Sequence, residues 1–125
     1  MSFGEYEIVI IGGGAAGLMA ATEAVGKNCR VAVIEKNSQC GRKMLITGKG
    51  RCNITNSRKW DEFKEHIHPD SGFFRPSFMA FSNSDTVSLL NKLGLRTVEE
   101  RGMRIFPLSG RSADVRDTLV SYLRK

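Results

Sequence analysis

Residues 6–25 read YEIVIIGGGAAGLMAATEAV. The first six are mostly apolar and β-branched, the composition of a short strand buried on both faces of a parallel sheet. Gly12-Gly13-Gly14 ends that run. Residues 15–25 are then dense in helix-favouring side chains, and Gly26 is placed to terminate the helix. Residues 30–35, RVAVIE, read as a second buried strand. Strand, glycine turn, helix and strand in about thirty residues make a βαβ unit over 6–35. The predicted fold class is therefore α/β, built on a Rossmann-like βαβ dinucleotide-binding unit.

The glycines carry a more specific message. Gly12-x-Gly14-x-x-Gly17 lies between the strand and the helix, where a dinucleotide fingerprint belongs. Gly12 permits the tight turn, Gly14 lets a pyrophosphate approach the backbone, and Gly17 lets helix and strand pack closely. A bound diphosphate would meet unpaired N–H groups and the positive end of the helix dipole. Glu35 ends the second strand, eighteen residues after Gly17. An acid there accepts hydrogen bonds from ribose hydroxyls and repels the extra phosphate of NADP, so the pattern points to FAD or NAD. Spacing alone does not choose between them; the position of the motif close to the start of the sequence points to a flavoprotein. The bland alternative is a glycine-rich turn with no ligand, and the agreement of strand, helix and acid argues against it.

Residues 36–58 are polar, basic and glycine-containing, with one helical turn expected at 42–46. Their centre, GRKMLITGKGRCNITN (41–56), carries Arg42, Lys43, Lys49 and Arg51. From Lys27 to Lys64 ten basic residues face only Glu35, Asp61 and Glu62, a surplus of seven within a chain of net charge +6. Such a zone implies an anionic partner, or else a solvated cationic face. It follows the second strand at its carboxyl end, the edge where ligands lie in open α/β sheets. There Arg42, Lys43, Lys49 and Arg51 could neutralise a pyrophosphate or pin a ribose and a ring edge, while Thr47, Asn53 and Thr55 add neutral hydrogen bonds. TGKGRC lacks the Gly-Lys-Ser/Thr ending of a P-loop.

Taken with IIGGGAAGL (10–18) and VIEK (33–36), the Arg-Lys and Thr-Gly-x-Gly-Arg-Cys-Asn-x-Thr-Asn elements resemble the aminoacetone-oxidase-like (BaiN-like) family of NAD(P)/FAD-dependent oxidoreductases. RIFPLSGRSADVRDTL (104–119) resembles that family's next segment, so the likeness runs over essentially the whole chain. The resemblance implies an FAD-dependent oxidoreductase working between NAD(P)H and a small organic substrate. It implies that Gly12, Gly14, Ala15, Ala16 and Gly17 line the pyrophosphate, that Glu35 and Lys36 meet the adenosine ribose, and that Arg42, Lys43, Gly48, Arg51, Cys52 and Asn53 approach the rest of FAD. Members of the family are much longer. Residues 1–125 are accordingly expected to be the N-terminal part of an FAD-binding domain, incomplete as it stands, with the remaining flavoprotein domains absent. That part divides into the βαβ unit, a cofactor loop at 36–58, and helices and a hairpin at 59–125. No residue is assigned as a catalytic acid or base, and no metal site is expected.

The rest of the sequence is read as scaffold. Trp60 to His66 suits a short helix, and 73–81 a helix despite Pro76, with Phe73, Phe74, Phe78 and Phe81 as core anchors. Asn83 or Ser84 is placed to cap a helix to Leu93, closed by Gly94. LRTVEE and MRIFPL flank Arg101-Gly102 as a β-hairpin. Ser112 is placed to cap a helix running to the end, with Val115, Leu119, Tyr122 and Leu123 on one face. Cys29, Cys40 and Cys52 form no CxxC pair and read as reduced thiols of a cytoplasmic protein. Arg51 and Lys49 would lower the Cys52 pKa if that thiol is exposed. His66-x-His68 beside Asp70 suits turn chemistry better than a metal. An NAD-binding module and a remnant without activity are the competing readings. A small basic nucleic-acid-binding protein is a weaker one, because no nucleic-acid motif accompanies the charge. Neither nucleic acid nor membrane is expected as a partner; self-association through an unpaired sheet edge is.

Overall fold

A computed structural model describes residues 4–124. Strand β1 (Ile8–Ile11), helix α1 (Ala15–Gly26) and strand β2 (Val31–Ile34) form the expected βαβ unit. The strands pair in parallel, with Ile8 opposite Val31 and Ile11 opposite Ile34. Helix α1 covers one face of this sheet, burying Leu18 and Ala21 completely. The other face departs from expectation. Ile11 is 86% exposed and Ile34 opposite it 56%, so among the described residues the strands are covered on one side only, and there only partly. An apolar run shows that a strand is fit for burial; whether anything covers it depends on elements elsewhere.

Helix α2 (Arg42–Ile46) occupies the single turn expected there. It is followed by an irregular turn, Thr47–Gly50, in which Gly48 and Lys49 are both left-handed (φ 55° and 56°). Strand β3 (Thr55–Asn56), helix α3 (Trp60–Phe63), helix α4 (Ser71–Ala80), helix α5 (Asn83–Lys92), strands β4 (Thr97–Glu100) and β5 (Arg104–Pro107), and helix α6 (Ser112–Leu123) complete the chain. The predicted hairpin is present as β4–β5, and β3 joins it to give an antiparallel sheet of order β3-β5-β4. At two residues β3 is too short to show a strand period, which is why its sequence reads as loop.

One core joins these parts. Leu18, Met44, Cys52, Leu90, Leu95, Val115 and Leu119 pack together, so α1, α2, α5 and α6 enclose a common apolar centre. Each fully buried leucine contributes roughly 1.5–3 kcal/mol. Capping differs from expectation in two places. Ser82 caps α5 through a capping box with Asp85, while Asn83 turns inward and donates to Asn56 O (2.6 Å) and Arg58 O (2.7 Å). Ser112 is the first residue of α6 and donates its hydroxyl to Leu45 O (2.9 Å), tying α6 to α2. Helix α6 ends at Leu123; Lys125, the expected last position, lies outside the described residues.

The aromatic expectation holds for one residue of four. Phe78 is buried against Trp60 and Phe63, with ring centroids 5.1 and 4.9 Å away. Phe73, Phe74 and Phe81 are exposed, Phe73 at 89%. Helix α4 lies at the margin, so only one of its faces meets a neighbour, and Phe73 and Phe81 point elsewhere.

Candidate cofactor-binding site

Three glycines in the turn between β1 and α1, and Gly17 in the first turn of α1, meet different physical demands. Gly12 has φ +99°, a conformation that costs an L side chain dearly. A Cβ on Gly17 would come within 1.9 Å of Gly12 O, so the close contact of helix and strand excludes any side chain. Gly14 is the N-cap of α1, and a Cβ there would meet nothing within 4 Å. That space is open to a ligand. Gly13, an unspecified position in the fingerprint, is buried and equally constrained: a Cβ would lie 2.5 Å from Cys40 Sγ. Its N–H donates to Glu35 Oε2 (2.9 Å) and its carbonyl accepts from Gly41 N–H (2.7 Å). Gly13 thus fastens the glycine turn to the segment after β2.

Helix α1 starts with no side-chain cap and no acid in its first turn. Its leading N–H groups and positive dipole end are uncompensated by the protein. They open on a cavity of about 450 Å³ lined by Gly12, Gly14, Ala15, Ala16 and Gly17 on one side, and by Glu35, Asn37, Arg42, Lys43 and Met44 among others on the opposite side. A second, more apolar cavity of about 290 Å³ adjoins it, with Ala15, Lys43 and Met44 lining both. Its other walls include Met19, Thr47, Cys52, Asn53 and Ile54.

The electrostatics are set locally. Glu35 Oε1 accepts from the Asn37 N–H (2.8 Å), Oε2 from Gly13, and Oε1 again from Asn37 Nδ2 (2.6 Å). These donors hold its carboxyl below the ordinary glutamate pKa, the Asn37 N–H contributing most. Arg42 Nη1 donates to Asn37 Oδ1 (3.0 Å), which keeps the guanidinium beside the same cavity.

Most of the residues named from sequence meet here: Gly12, Gly14, Ala15, Ala16, Gly17, Glu35, Arg42 and Lys43 line the first cavity, and Cys52 and Asn53 the second. Lys36 does not; it is exposed and lines neither. Gly48 packs inward, where a Cβ would stand 2.8 Å from Asn53 N and 3.3 Å from the Phe106 ring. Arg51 turns away from both cavities to a bidentate ion pair with Glu100, its guanidinium 4.4 Å from the centre of the Phe106 ring. Cys52 is buried, so the exposure on which a lowered pKa was conditional is not met, and burial raises its pKa instead. Thr55 is in β3, and Lys49 lines neither cavity. Sequence reading missed Gly13, Asn37 and Met44. The unbroken run of three glycines was the only signal for the first; the others needed the fold.

A larger hollow, about 810 Å³, lies elsewhere, between the α5–β4 turn and α6. Its acids are matched by cations, Asp114 by Arg111 (3.9 Å) and Asp117 by Arg116 (2.7 Å), and the α1 N-terminus and the Gly12–Gly17 segment are not among its walls. Its greater size does not replace those amides and glycines, which makes it a weaker site than the cavity at the start of α1. No helix among the described residues is long and apolar enough to cross a membrane.

A family model described as "HI0933-like protein Rossmann domain" matches residues 6–125. The chain belongs to this family. The family assignment agrees with the likeness read from the glycine and Thr-Gly-x-Gly-Arg-Cys-Asn segments. Among curated relatives, the HI0933-like chain is 38% identical over 120 residues to a 3-dehydro-bile acid delta(4,6)-reductase of Clostridium scindens, matching 94% of this chain and 29% of that protein. It is 32% identical to the ribosomal RNA dihydrouridine synthase of Escherichia coli, over 81% of this chain and 25% of that one. It is 40% identical to oxidoreductase PigB of a Serratia species, over 73% of this chain and 11% of that one. The chain therefore spans less than a third of the length of these relatives. Among solved structures, THI4 of Thermovibrio ammonificans matches with a TM-score of 0.61 at 16% identity, over 96% of this chain and 35% of that one, a likeness of fold alone. A Rossmann dinucleotide-binding domain of an oxidoreductase family is what fold and relatives together establish.

Proposed function

We propose that this chain is the FAD-binding N-terminal portion of a flavin-dependent oxidoreductase. The observation that carries the reading is the meeting of two unlike cavities at Ala15, Lys43 and Met44. The first offers free helix N–H groups, two cations and a carboxylate, the complement of a diphosphate and a ribose. The second offers mainly apolar walls, which suit a flat ring system. In this reading the amides at Gly14, Ala15 and Ala16 hold the diphosphate, Arg42 and Lys43 neutralise it, and Glu35 accepts from the adenosine ribose. Bound FAD supplies the redox chemistry, taking electrons from NAD(P)H or giving them to a small organic substrate; the chain supplies position and charge. Residues 1–125 are then the N-terminal part of a longer FAD-binding domain, and the bare sheet face at Ile11 and Ile34 is the surface that further segments would cover.

An NAD-binding module is the second reading, because Glu35 and the fingerprint serve NAD equally well. The test is to purify the chain, record its visible spectrum, and titrate it with FAD and NADH. Flavin absorbance co-eluting near stoichiometry, with NADH binding much weaker, is expected. A colourless protein that ignores FAD and binds NADH would replace this reading with the second, and one that binds neither would remove both.

A further inference from the structure

Glu35 and Arg42 carry opposite charges to one cavity, and a single neutral side chain joins them. Asn37 gives Glu35 Oε1 two hydrogen bonds, from its backbone N–H at 2.8 Å and from Nδ2 at 2.6 Å. Its Oδ1 accepts from Arg42 Nη1 at 3.0 Å. The Gly13 N–H takes one position on Oε2 at 2.9 Å. A carboxylate offers about four acceptor positions, so roughly one stays open, on Oε2. Asn37 lies on the cavity wall with both partners.

We propose that Asn37 is a positioning residue for the cofactor's adenosine end: its one amide fixes the Glu35 carboxylate and the Arg42 guanidinium relative to each other. This rests on the reading of the cavity as a dinucleotide site and adds a residue that the fingerprint does not contain. Glu35, with three protein donors, accepts from one ligand hydroxyl rather than two. Arg42, tethered through Asn37, stands ready for the neighbouring oxygen of the same sugar or for the phosphate next to it. Without Asn37 no other hydrogen bond or ion pair among the described residues holds the guanidinium, and the long side chain regains its rotamer freedom, which binding must then remove.

The test uses FAD as the probe, titrated into the full chain and followed by quenching of flavin fluorescence. Asn37→Ala is expected to weaken FAD about tenfold, the scale of one charge-assisted hydrogen bond. Asn37→Asp keeps an acceptor for Arg42 but places a negative charge beside Glu35, and is expected to weaken FAD at least as much. It also serves if the alanine variant fails to fold. The decisive readout is a double-mutant cycle. Arg42→Ala is expected to cost distinctly less in the Asn37→Ala background than in the wild type, because the guanidinium is already loose there. Additive losses, or an Asn37→Ala affinity within twofold of wild type, would overturn the role of Asn37 while leaving the site intact. A wild-type chain that does not quench FAD at all would overturn the site and the role together.

Discussion

Residues 12–44 and residues 47–58 share the glycines and cations of one sequence pattern, yet they spend their polar groups differently. Both segments contain glycines, cations and small polar side chains, and both belong to the pattern that pointed to a cofactor. In the first, Gly14 faces open space, Arg42 lies at a cavity wall, and the α1 amides are free. In the second, Gly48 packs on Asn53 and Phe106, Arg51 is held by Glu100, and Cys52 is buried. The first segment is a cradle and most of the second is a strap that holds it. A glycine or arginine in a motif does not announce which job it has; that depends on what stands opposite.

The glycines offer the largest contrast. Gly14→Ala puts a methyl group into the open cradle at an ordinary backbone angle (φ −77°), so the protein should fold normally. FAD affinity should fall on the order of a hundredfold, as expected when about two charge-assisted hydrogen bonds to phosphate are lost. Gly48→Ala should do the reverse. Its left-handed backbone and the Asn53 N–H resist a side chain, at a cost of roughly 1–3 kcal/mol in stability, with FAD affinity of the folded protein nearly unchanged. Denaturant unfolding and flavin titration of both variants check this, and equal effects on binding would merge cradle and strap.

The arginines come next. Arg42→Ala should weaken FAD about tenfold with little change in melting temperature. Arg51→Ala should lower the melting temperature, because it leaves Glu100 without its partner and uncovers the Phe106 ring, and should leave affinity nearly unchanged. Charge-preserving Arg51→Lys should recover only part of that loss, since a lysine cannot make the forked contact.

The smallest contrast concerns acid. Glu35 in the cradle and Glu100 in the strap both have lowered pKa values, Glu35 chiefly through the Asn37 N–H and Glu100 chiefly through Arg51. A carboxyl group depressed in the folded state stabilises it above the unfolded pKa, near 4.3 for glutamate, and loses that contribution as pH falls through the lowered folded value. The contribution of these two carboxylates should therefore be flat above about pH 5 and decline below it. Glu100→Gln should flatten part of the acid limb without touching FAD binding at neutral pH; acid unfolding curves of the variant and wild type decide it.

Much of this architecture was legible without coordinates. The βαβ unit announces itself because a strand, a glycine turn and a helix leave local signatures, and Gly12, Gly14 and Gly17 have demands that arise within a few residues of one another. The hairpin around Arg101-Gly102 is visible for the same reason. The Arg51–Glu100 ion pair was invisible because Glu100 stands forty-nine residues away. Phe73 was misread because apolarity measures fitness for burial, and α4 has too few neighbours to use it. Asn37 was invisible because its neutral amide gains meaning only between Glu35 and Arg42.

The amino-acid sequence determined the dinucleotide-type crossover and the family, since both rest on contacts between near neighbours and on backbone conformations that few residues tolerate. Tertiary structure alone decided which cations face the cavity, which thiol is buried, and which strand face lies bare. Those outcomes depend on the partner each group finds across the fold, and distance along the chain carries no record of that partner.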